Sequence, residues 1–268
     1  MRPLAVLLVL AAVLAAGCSH GAGNQSSQDV LAETSQNLGD VKSGDLGLNL
    51  LFSAKGGDRA GFDLEGPFKL NQGQLPEAQL DYTQIAGSRT TTQTFILKDG
   101  KAYVKMDGTT YELPATATGQ ISSSLGNSGG LATIDLSNWV RDPEVSDGGQ
   151  VGGVDTDKVS GRLNVATVVS GLVAVASQFG GTAPLTPLSG ESADQVESAV
   201  RSATIDVYTG KEDRLLRKLD VSIDFAPEAA KVKELLGASV RFTLAISNPN
   251  EPVTVETPTN AQPYSAGG

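Results

Sequence analysis

The sequence contains one cysteine and one histidine among its 268 residues, and this scarcity excludes several kinds of chemistry. A lone cysteine cannot form an internal disulfide, and it cannot build a zinc site with a single histidine. The histidine, His20, stands in a small polar stretch beside Cys18. The chain therefore lacks the usual proton shuttle and any Ser-His-Asp or Cys-His arrangement, and we expect no metal and no cofactor.

Aromatic residues and positive charges are also few. Aromatics make up 5% of the chain, whereas glycine reaches 31 residues, which predicts a globular fold with a slim aliphatic core. The formal net charge is −10. Because an acidic surface is repelled by phosphate backbones and anionic head groups, we expect no nucleic-acid partner, and membrane attachment would need an apolar anchor.

Long apolar runs are missing apart from one near the N-terminus. Arg2 precedes an apolar run from Leu4 to Ala16 that ends in small residues, and this layout is typical of a secretory signal peptide. As a helix the run would cover about 20 Å, against about 30 Å of hydrocarbon in a bilayer. We therefore predict a signal peptide over residues 1–17 and a mature protein outside the cytoplasm.

Cys18 lies at the end of this run, in the stretch Ala15-Ala16-Gly17-Cys18. The stretch resembles a bacterial lipobox, in which the signal is cut before the cysteine and the thiol receives a diacylglyceryl group. A typical lipobox has leucine three places before the cysteine, whereas Ala15 stands there and Leu14 is one place further back. We predict lipidation of Cys18, with ordinary cleavage nearby as the alternative. Two or three acyl chains would hold the protein stably at the outer face of the cell membrane.

The rest of the chain divides into three parts. Residues 18–27 are small and polar and predict a flexible lipidated tether. Residues 28–248 carry the periodic patterns of a single domain, which opens with a helix over Asp29–Leu38 that Asp29 caps. Residues 249–268 contain four prolines and predict an extended tail.

Apolar residues in the first half of the domain alternate with polar ones, as in half-buried strands. Asp99-Gly100 and Asp107-Gly108 separate the last three strands, and Asp-Gly between strands is typical of a tight hairpin. The pattern predicts an antiparallel meander with strands at Leu46–Phe52, Phe62–Leu70, Ala78–Ile85, Thr91–Lys98, Lys101–Met106 and Thr109–Leu113.

The second half of the domain begins less regularly. Short helices and loops are expected over Ala117–Asp147. The later segments are a strand at Val154–Leu163, an apolar helix at Asn164–Phe179, a short helix at Ser189–Val200, and strands at Ala203–Tyr208, Leu215–Phe225 and Ala238–Ser247. In the middle one of these last strands, Leu215 and Arg217 start the inward set, and Asp220 and Asp224 belong to the outward set.

Carboxylates offer the remaining route to catalysis. Asp206, Asp220 and Asp224 lie on predicted strands, and Asp155 and Asp157 are two residues apart on another. Paired acids on one face could support hydrolysis. Outward strand positions are also simply charged, and neither the spacing nor the glycine pattern of a calcium loop is present. We therefore expect a protein that is not an enzyme, and a carboxylate-dependent hydrolase stays as an alternative.

The element pattern predicts an α+β fold with a large curved antiparallel sheet covered by a few helices. About ten strands have one face to bury, but few helices cover them and few aromatics fill the space between. Close packing would give an ordinary core. The alternative is a hollow lined by aliphatic side chains that an apolar ligand fills.

Three features together resemble the LppX/LprAFG lipoproteins of actinobacterial envelopes. They are the lipobox with its tether, the hairpin run FILKDGKAYVKMDGTTYEL (Phe95–Leu113), and VGGVDTDKVSGRL (Val151–Leu163) before an apolar helix. The resemblance covers most of residues 28–247. It implies a LolA/LolB-like half-barrel whose concave face and helices enclose a hydrophobic cavity for acylated lipids or lipoglycans, which are carried across the envelope with the help of an export partner.

The predicted function is therefore an anchored lipid carrier. The alternative is an envelope lipoprotein with a solid core that acts in protein interaction or signalling. The candidate cavity-lining residues are the inward residues of the strands and one face of the apolar helix: Leu48, Leu50, Phe62, Leu64, Phe68, Val168, Val169, Leu172, Val175, Leu219, Val221, Ile223, Val240, Phe242 and Leu244.

Overall fold

The computed structural model describes residues 26–71, 74–127, 134–178, 196–226 and 237–264. The predicted signal peptide, Cys18 and nearly all of the tether lie outside this part, as does most of the helix predicted at Ser189–Val200. Of the residues described, none belongs to a helix both long and apolar enough to cross a membrane.

The first helix, α1 (Ser27–Asn37), begins two residues earlier than predicted, because Ser26 and not Asp29 is its N-cap. The Ser26 hydroxyl accepts a hydrogen bond from the Asp29 backbone N–H, and the Asp29 carboxylate accepts one from the Ser26 backbone N–H, both at 3.2 Å. This reciprocal capping box satisfies two backbone donors of the first turn. Asp29 thus supports the helix start from its third position.

In the part of the chain that the structure describes, a 3₁₀ turn (Leu38–Asp40) is followed by twelve strands, with helices between some of them. The strands are β1 (Ser43–Ser53), β2 (Arg59–Lys69), β3 (Glu77–Ala86), β4 (Arg89–Lys98), β5 (Lys101–Met106), β6 (Thr109–Glu112), β7 (Val140–Val151), β8 (Val154–Leu163), β9 (Val200–Gly210), β10 (Leu216–Phe225), β11 (Ser239–Ser247) and β12 (Gln262–Pro263). The helices are α2 (Ala115–Asn127) and α3 (Leu136–Trp139), both between β6 and β7, and α4 (Val165–Gln178), after β8.

All twelve strands belong to one open sheet in the order β12-β6-β5-β4-β3-β2-β1-β11-β10-β9-β8-β7. The chain starts in the middle at β1, runs outward to β6, crosses to the opposite edge at β7 and returns inward until β11 pairs with β1. Every pairing is antiparallel except that of β12 with β6. The predicted α+β fold with a curved antiparallel sheet is confirmed.

Tight turns and close strand contacts shape the sheet. Asp99 and Gly100 have φ angles of 51° and 74°, and Asp107 and Gly108 have 48° and 79°, as type I′ hairpin turns require. At Gly61 in β2, a side chain would collide with the Leu50 carbonyl oxygen of β1. Only glycine therefore lets the two strands approach so closely.

The strand β7 is a correction, because loops and short helices were predicted up to Asp147. Two features explain why the sequence pattern missed it. Asp142, with φ of 49°, precedes Pro143, and the register of β7 against β8 shifts between Arg141 and Glu144. An edge strand tolerates both irregularities. Most of its residues are exposed, so no alternation marks it.

Two smaller predictions also need correction. The second strand was predicted to end at Leu70, but β2 ends at Lys69 and Leu70 is 47% exposed. The last but one strand was predicted to begin at Leu215, but β10 begins at Leu216, and its register with β9 shifts between Leu216 and Lys218. Leu215 and Arg217, which were placed on the inward face, are both buried.

Candidate functional site

The concave face of the sheet presents three rows of directly paired apolar side chains. The first row runs Leu64, Leu48, Leu244 and Leu219 across β2, β1, β11 and β10. Each residue of this row is at most 6% exposed. Cross-strand neighbours on one face lie about 5 Å apart. One continuous apolar band therefore crosses the middle of the sheet.

The second and third rows follow in the same register. Phe62, Leu50, Phe242 and Val221 form the second row. The third row brings Phe52, Val240 and Ile223 together, and Phe52 was not among the candidates. Because no register shift interrupts these four strands at the rows, the alternation read from the sequence places ten candidates side by side.

The remaining candidates join the same cluster from other directions. Phe68 lies further along β2, opposite Ala78 of β3. From α4, Val168, Val169 and Leu172 are each at most 1% exposed and belong to the same apolar cluster. The side chain of Val175 lies outside the described residues. The role of all these candidate residues as ligand contacts stays a prediction.

The helices α1, α3 and α4 pack together over one half of the sheet, whereas α2 contacts β5 in the other half. α1 contacts β7, β8 and β10, and α3 contacts α1, α4 and β7. The Thr34 hydroxyl of α1 donates to the Val30 carbonyl and also bonds to the Thr209 hydroxyl of β9 at 3.0 Å. Gly171 of α4 faces the ring of Trp139, where an added Cβ would lie 2.8 Å from Cζ2. The helical cover is therefore closely packed.

Several interior residues were not among the candidates. Val159, Ile205 and Val207 extend the apolar rows across β8 and β9. Strand alternation alone could have identified them. Tyr82 of β3 pairs with Leu64 and extends the first row on the other side.

Tyr82 belongs to a short aromatic chain on the concave face. Its ring centroid lies 5.8 Å from that of Phe62 and 6.0 Å from that of Phe95. Burial raises the pKa of the Tyr82 hydroxyl above its usual value, because the phenolate is poorly solvated there. The hydroxyl therefore stays protonated and is a neutral hydrogen-bonding group within an apolar surface.

The carboxylates considered for catalysis lie on the opposite, outer face, and cations or amides accompany them. Asp206 accepts a hydrogen bond from Ser160 at 2.6 Å and pairs with Lys158 at 3.0 Å. The remaining pairs join Asp220 to Lys218 and Thr243, Asp224 to Arg241 and Ser202, Asp157 to Arg214, and Asp155 to Gln150. Within the described ranges, no group of three or more acids, histidines or cysteines could hold a metal ion.

A separate cleft of about 710 Å³ opens at one end of the sheet. Its lining is mixed, with polar and charged side chains beside two leucines: Asn71, Gln74, Leu75, Glu77, Asp99, Gly100, Lys101, Glu112, Leu113, Ala115, Thr118, Gly119 and Ser122. Leu75 belongs to the main apolar cluster, and Leu113 packs against it. The cleft therefore reaches the interior at these two residues.

No protein-family model matches the chain, and no curated protein matches it. Among solved structures it is similar to LprF from Mycobacterium bovis, with 18% identity and a TM-score of 0.47 over 87% of this chain and 96% of that chain. MucB in complex with MucA(peri) has 12% identity and a TM-score of 0.29, over 90% and 63% of the two chains. For a LolA superfamily protein from Nitrosomonas europaea the values are 9% and 0.24, over 83% and 94%.

Proposed function

We propose that this protein is a lipid carrier of the cell envelope, anchored to the outer face of the membrane through a diacylglyceryl group on Cys18. Its ligand is an acylated lipid or lipoglycan, which it receives from and passes to envelope partners. Binding and release need no catalytic residue. The observation that carries the proposal is the set of three in-register apolar rows on the concave face of an open sheet.

The physical basis is the transfer of acyl chains out of water. Each buried methylene contributes about 0.8 kcal/mol, so a lipid chain needs a continuous apolar surface with no interrupting charge. The rows from Leu64 to Leu219 and from Phe62 to Val221 provide such a surface. Charged residues such as Asp206 and Asp220 alternate onto the other face, where water solvates them.

Native mass spectrometry of the protein purified from its own envelope tests the proposal. We expect adducts with the masses of acylated lipids, and organic extraction should release them. Protein that purifies without any acyl lipid and whose interior is solid would overturn the proposal and favour the interaction lipoprotein.

Two substitutions at Leu172 separate a ligand space from a packed core. In a carrier, Leu172→Trp occupies the space of the lipid, so uptake is lost while stability is retained. In a solid core the same change overpacks the interior and costs about 1–3 kcal/mol. Leu172→Ala is the matched control, because it frees space and should retain lipid binding.

The anchor is tested separately by fractionation of cells. Cys18→Ala should leave the membrane fraction, whereas Ser19→Ala, which keeps the thiol, should remain in it. Equal membrane retention of both variants would contradict the lipidation of Cys18 without affecting the proposal for the interior.

A further inference from the structure

The segment Val253–Tyr264, here named the strap, covers an apolar patch on the outer face of the sheet. Val255 is 3% exposed and packs against Ile96 and Tyr103, which are direct partners on β4 and β5. This cluster is separate from the main core. Two outward positions are therefore apolar because the strap shields them from water.

Two residues that form hydrogen bonds with the strap also line the cleft. The Thr257 hydroxyl donates to the Asp99 carboxylate at 3.1 Å, at the turn between β4 and β5. Further on, Gln262–Pro263 pairs with β6, and the Tyr264 backbone N–H donates to the Glu112 carbonyl at 2.9 Å. Asp99 and Glu112 both belong to the cleft wall. The strap therefore holds this wall from outside.

The wall that the strap holds is a short part of the sheet, and on its other side β6 pairs with β5 alone. β6 has four residues, and it leads through Leu113 into α2, which forms another part of the cleft lining. Among the sheet strands, α2 packs chiefly on β5. Outward movement of β6 and α2 would carry Leu113 away from the main apolar cluster and widen the connection between the cleft and the interior.

The strap is attached by few contacts, so it can detach and dock again repeatedly. From Val253 to Thr257 the strap has no regular secondary structure and forms no strand ladder in the described structure. Pro252, Pro258 and Pro263 restrict the backbone of the free segment, so little conformational entropy is lost when it docks. Undocking breaks the packing of Val255, the hydrogen bond from Thr257 to Asp99 and a two-residue pairing.

We propose that the strap is a gate: docked, it holds β6 and α2 against the sheet, and released, it lets acyl chains pass between the cleft and the interior. The passage of lipid rests on the proposed function, whereas the holding of the wall does not.

Hydrogen exchange of the full-length protein without ligand tests the holding of the wall. Val255→Asp and removal of residues 253–268 should both accelerate amide exchange in β6 and α2 by about tenfold or more, since the buried valine contact is lost. Exchange in β1 and β11 should stay unchanged, which also shows that the shell folds. Glu256→Ala, at an exposed neighbouring position, is the control and should behave as wild type. Unchanged exchange in β6 and α2 would overturn the proposal.

Transfer of a fluorescent phospholipid from phosphatidylcholine vesicles tests the gate itself. We expect uptake by both strap variants to be several-fold faster than by wild type, with the same amount bound at the end. Equal rates in all proteins would overturn the gate and leave the carrier function standing. If neither wild type nor any variant takes up the phospholipid, the proposed function fails, and the exchange data still decide whether the strap holds the wall.

Discussion

The two halves of the sheet bury their concave faces to different extents. In the half formed by β7–β11, beneath α1, α3 and α4, Val207, Leu219 and Leu244 are completely buried. In the half formed by β3–β6, Leu80 and Phe95 are direct partners on the same face, yet both are only partly buried. The strand pattern is alike in both halves, so the cover formed by α1, α3 and α4 makes the difference, since α2 contacts β5 alone among the strands with several contacts.

This difference indicates that the two halves of the sheet have different roles. The half under the helices supplies most of the fully buried apolar surface and hence most of the stability. In the other half the concave face comes nearer to water, next to the cleft and the strap. We infer that the first half holds the fold together and that the second half is where a ligand exchanges. A substitution in one half should therefore differ in its effect from the matching substitution in the other half.

The largest difference is expected for leucine truncation. Leu244→Ala removes a fully buried side chain between Leu48 and Leu219 and should lower the free energy of unfolding by about 2–5 kcal/mol. Leu80→Ala should cost about 1 kcal/mol, because water already reaches part of that side chain. Urea denaturation of both variants measures the two losses. Equal losses would show that the halves do not differ in packing.

A glycine-to-alanine pair in the helices comes next. Alanine normally stabilises a helix by up to about 1 kcal/mol over glycine. Gly119→Ala in α2 should show this gain, because nothing lies within 4 Å of the added methyl. Gly171→Ala in α4 should instead destabilise by about 1–3 kcal/mol, since its methyl meets Trp139. Thermal denaturation should therefore give shifts of opposite sign, and a gain at both sites would contradict tight packing of α4 on α3.

Two threonine pairs give a smaller contrast. Thr34→Val breaks the buried hydrogen bond between α1 and β9 and should cost about 1 kcal/mol. Thr83→Val removes a comparable hydroxyl contact with Thr92, but this pair is exposed, so the change should stay within about 0.5 kcal/mol. Chemical denaturation distinguishes these values. A loss at Thr83 as large as that at Thr34 would argue against the importance of the helix cover.

The smallest effects, equal in both halves, are expected from exposed ion pairs. A hydrogen bond from Lys98 lowers the pKa of Glu77, and a hydrogen bond from Arg241 lowers the pKa of Asp224. A lowered folded-state pKa stabilises above the unfolded-state pKa, and this stability is lost as the pH falls through the folded-state value. Because both pairs are partly exposed, each contributes less than about 1 kcal/mol.

Glu77→Gln and Asp224→Asn should each lower Tm slightly at pH 7, by up to about 3 °C. The difference from wild type should shrink as the pH falls through the folded-state pKa values of the two carboxylates, both of which lie below the usual values. A deficit that persists in acid would mean that the side chains act through packing and not through charge.

Much of the concave face could be predicted from the sequence because strand alternation is a local property. The spacing within a single strand shows which residues share a face, as for Leu48 and Leu50 in β1. The same holds for Val240, Phe242 and Leu244 in β11. The Asp-Gly turns similarly fix the hairpins from Phe95 to Leu113. The assembly of these residues into rows follows once the strand neighbours are known.

The parts that sequence reasoning missed depend on contacts between distant segments. Most residues of β7 are exposed, and the strand contains Asp142-Pro143, so neither alternation nor propensity marks it. One feature of the sequence indicates the patch under the strap. Phe95, Ile96 and Leu97 are consecutive apolar residues in a strand whose residues should alternate between apolar and polar. Such a run indicates a strand buried on both faces, but it does not reveal that residues near Val255 cover the second face.

The pairing of β1 with β11 has a consequence for biosynthesis. Leu48 lies opposite Leu244, about 200 residues away along the chain, so the centre of the sheet can close only when almost the whole domain has emerged. Until then, β1 is an unpaired apolar edge, which is a site for aggregation. A chain exported in this state would need protection from a chaperone. This need would end when β11 pairs with β1.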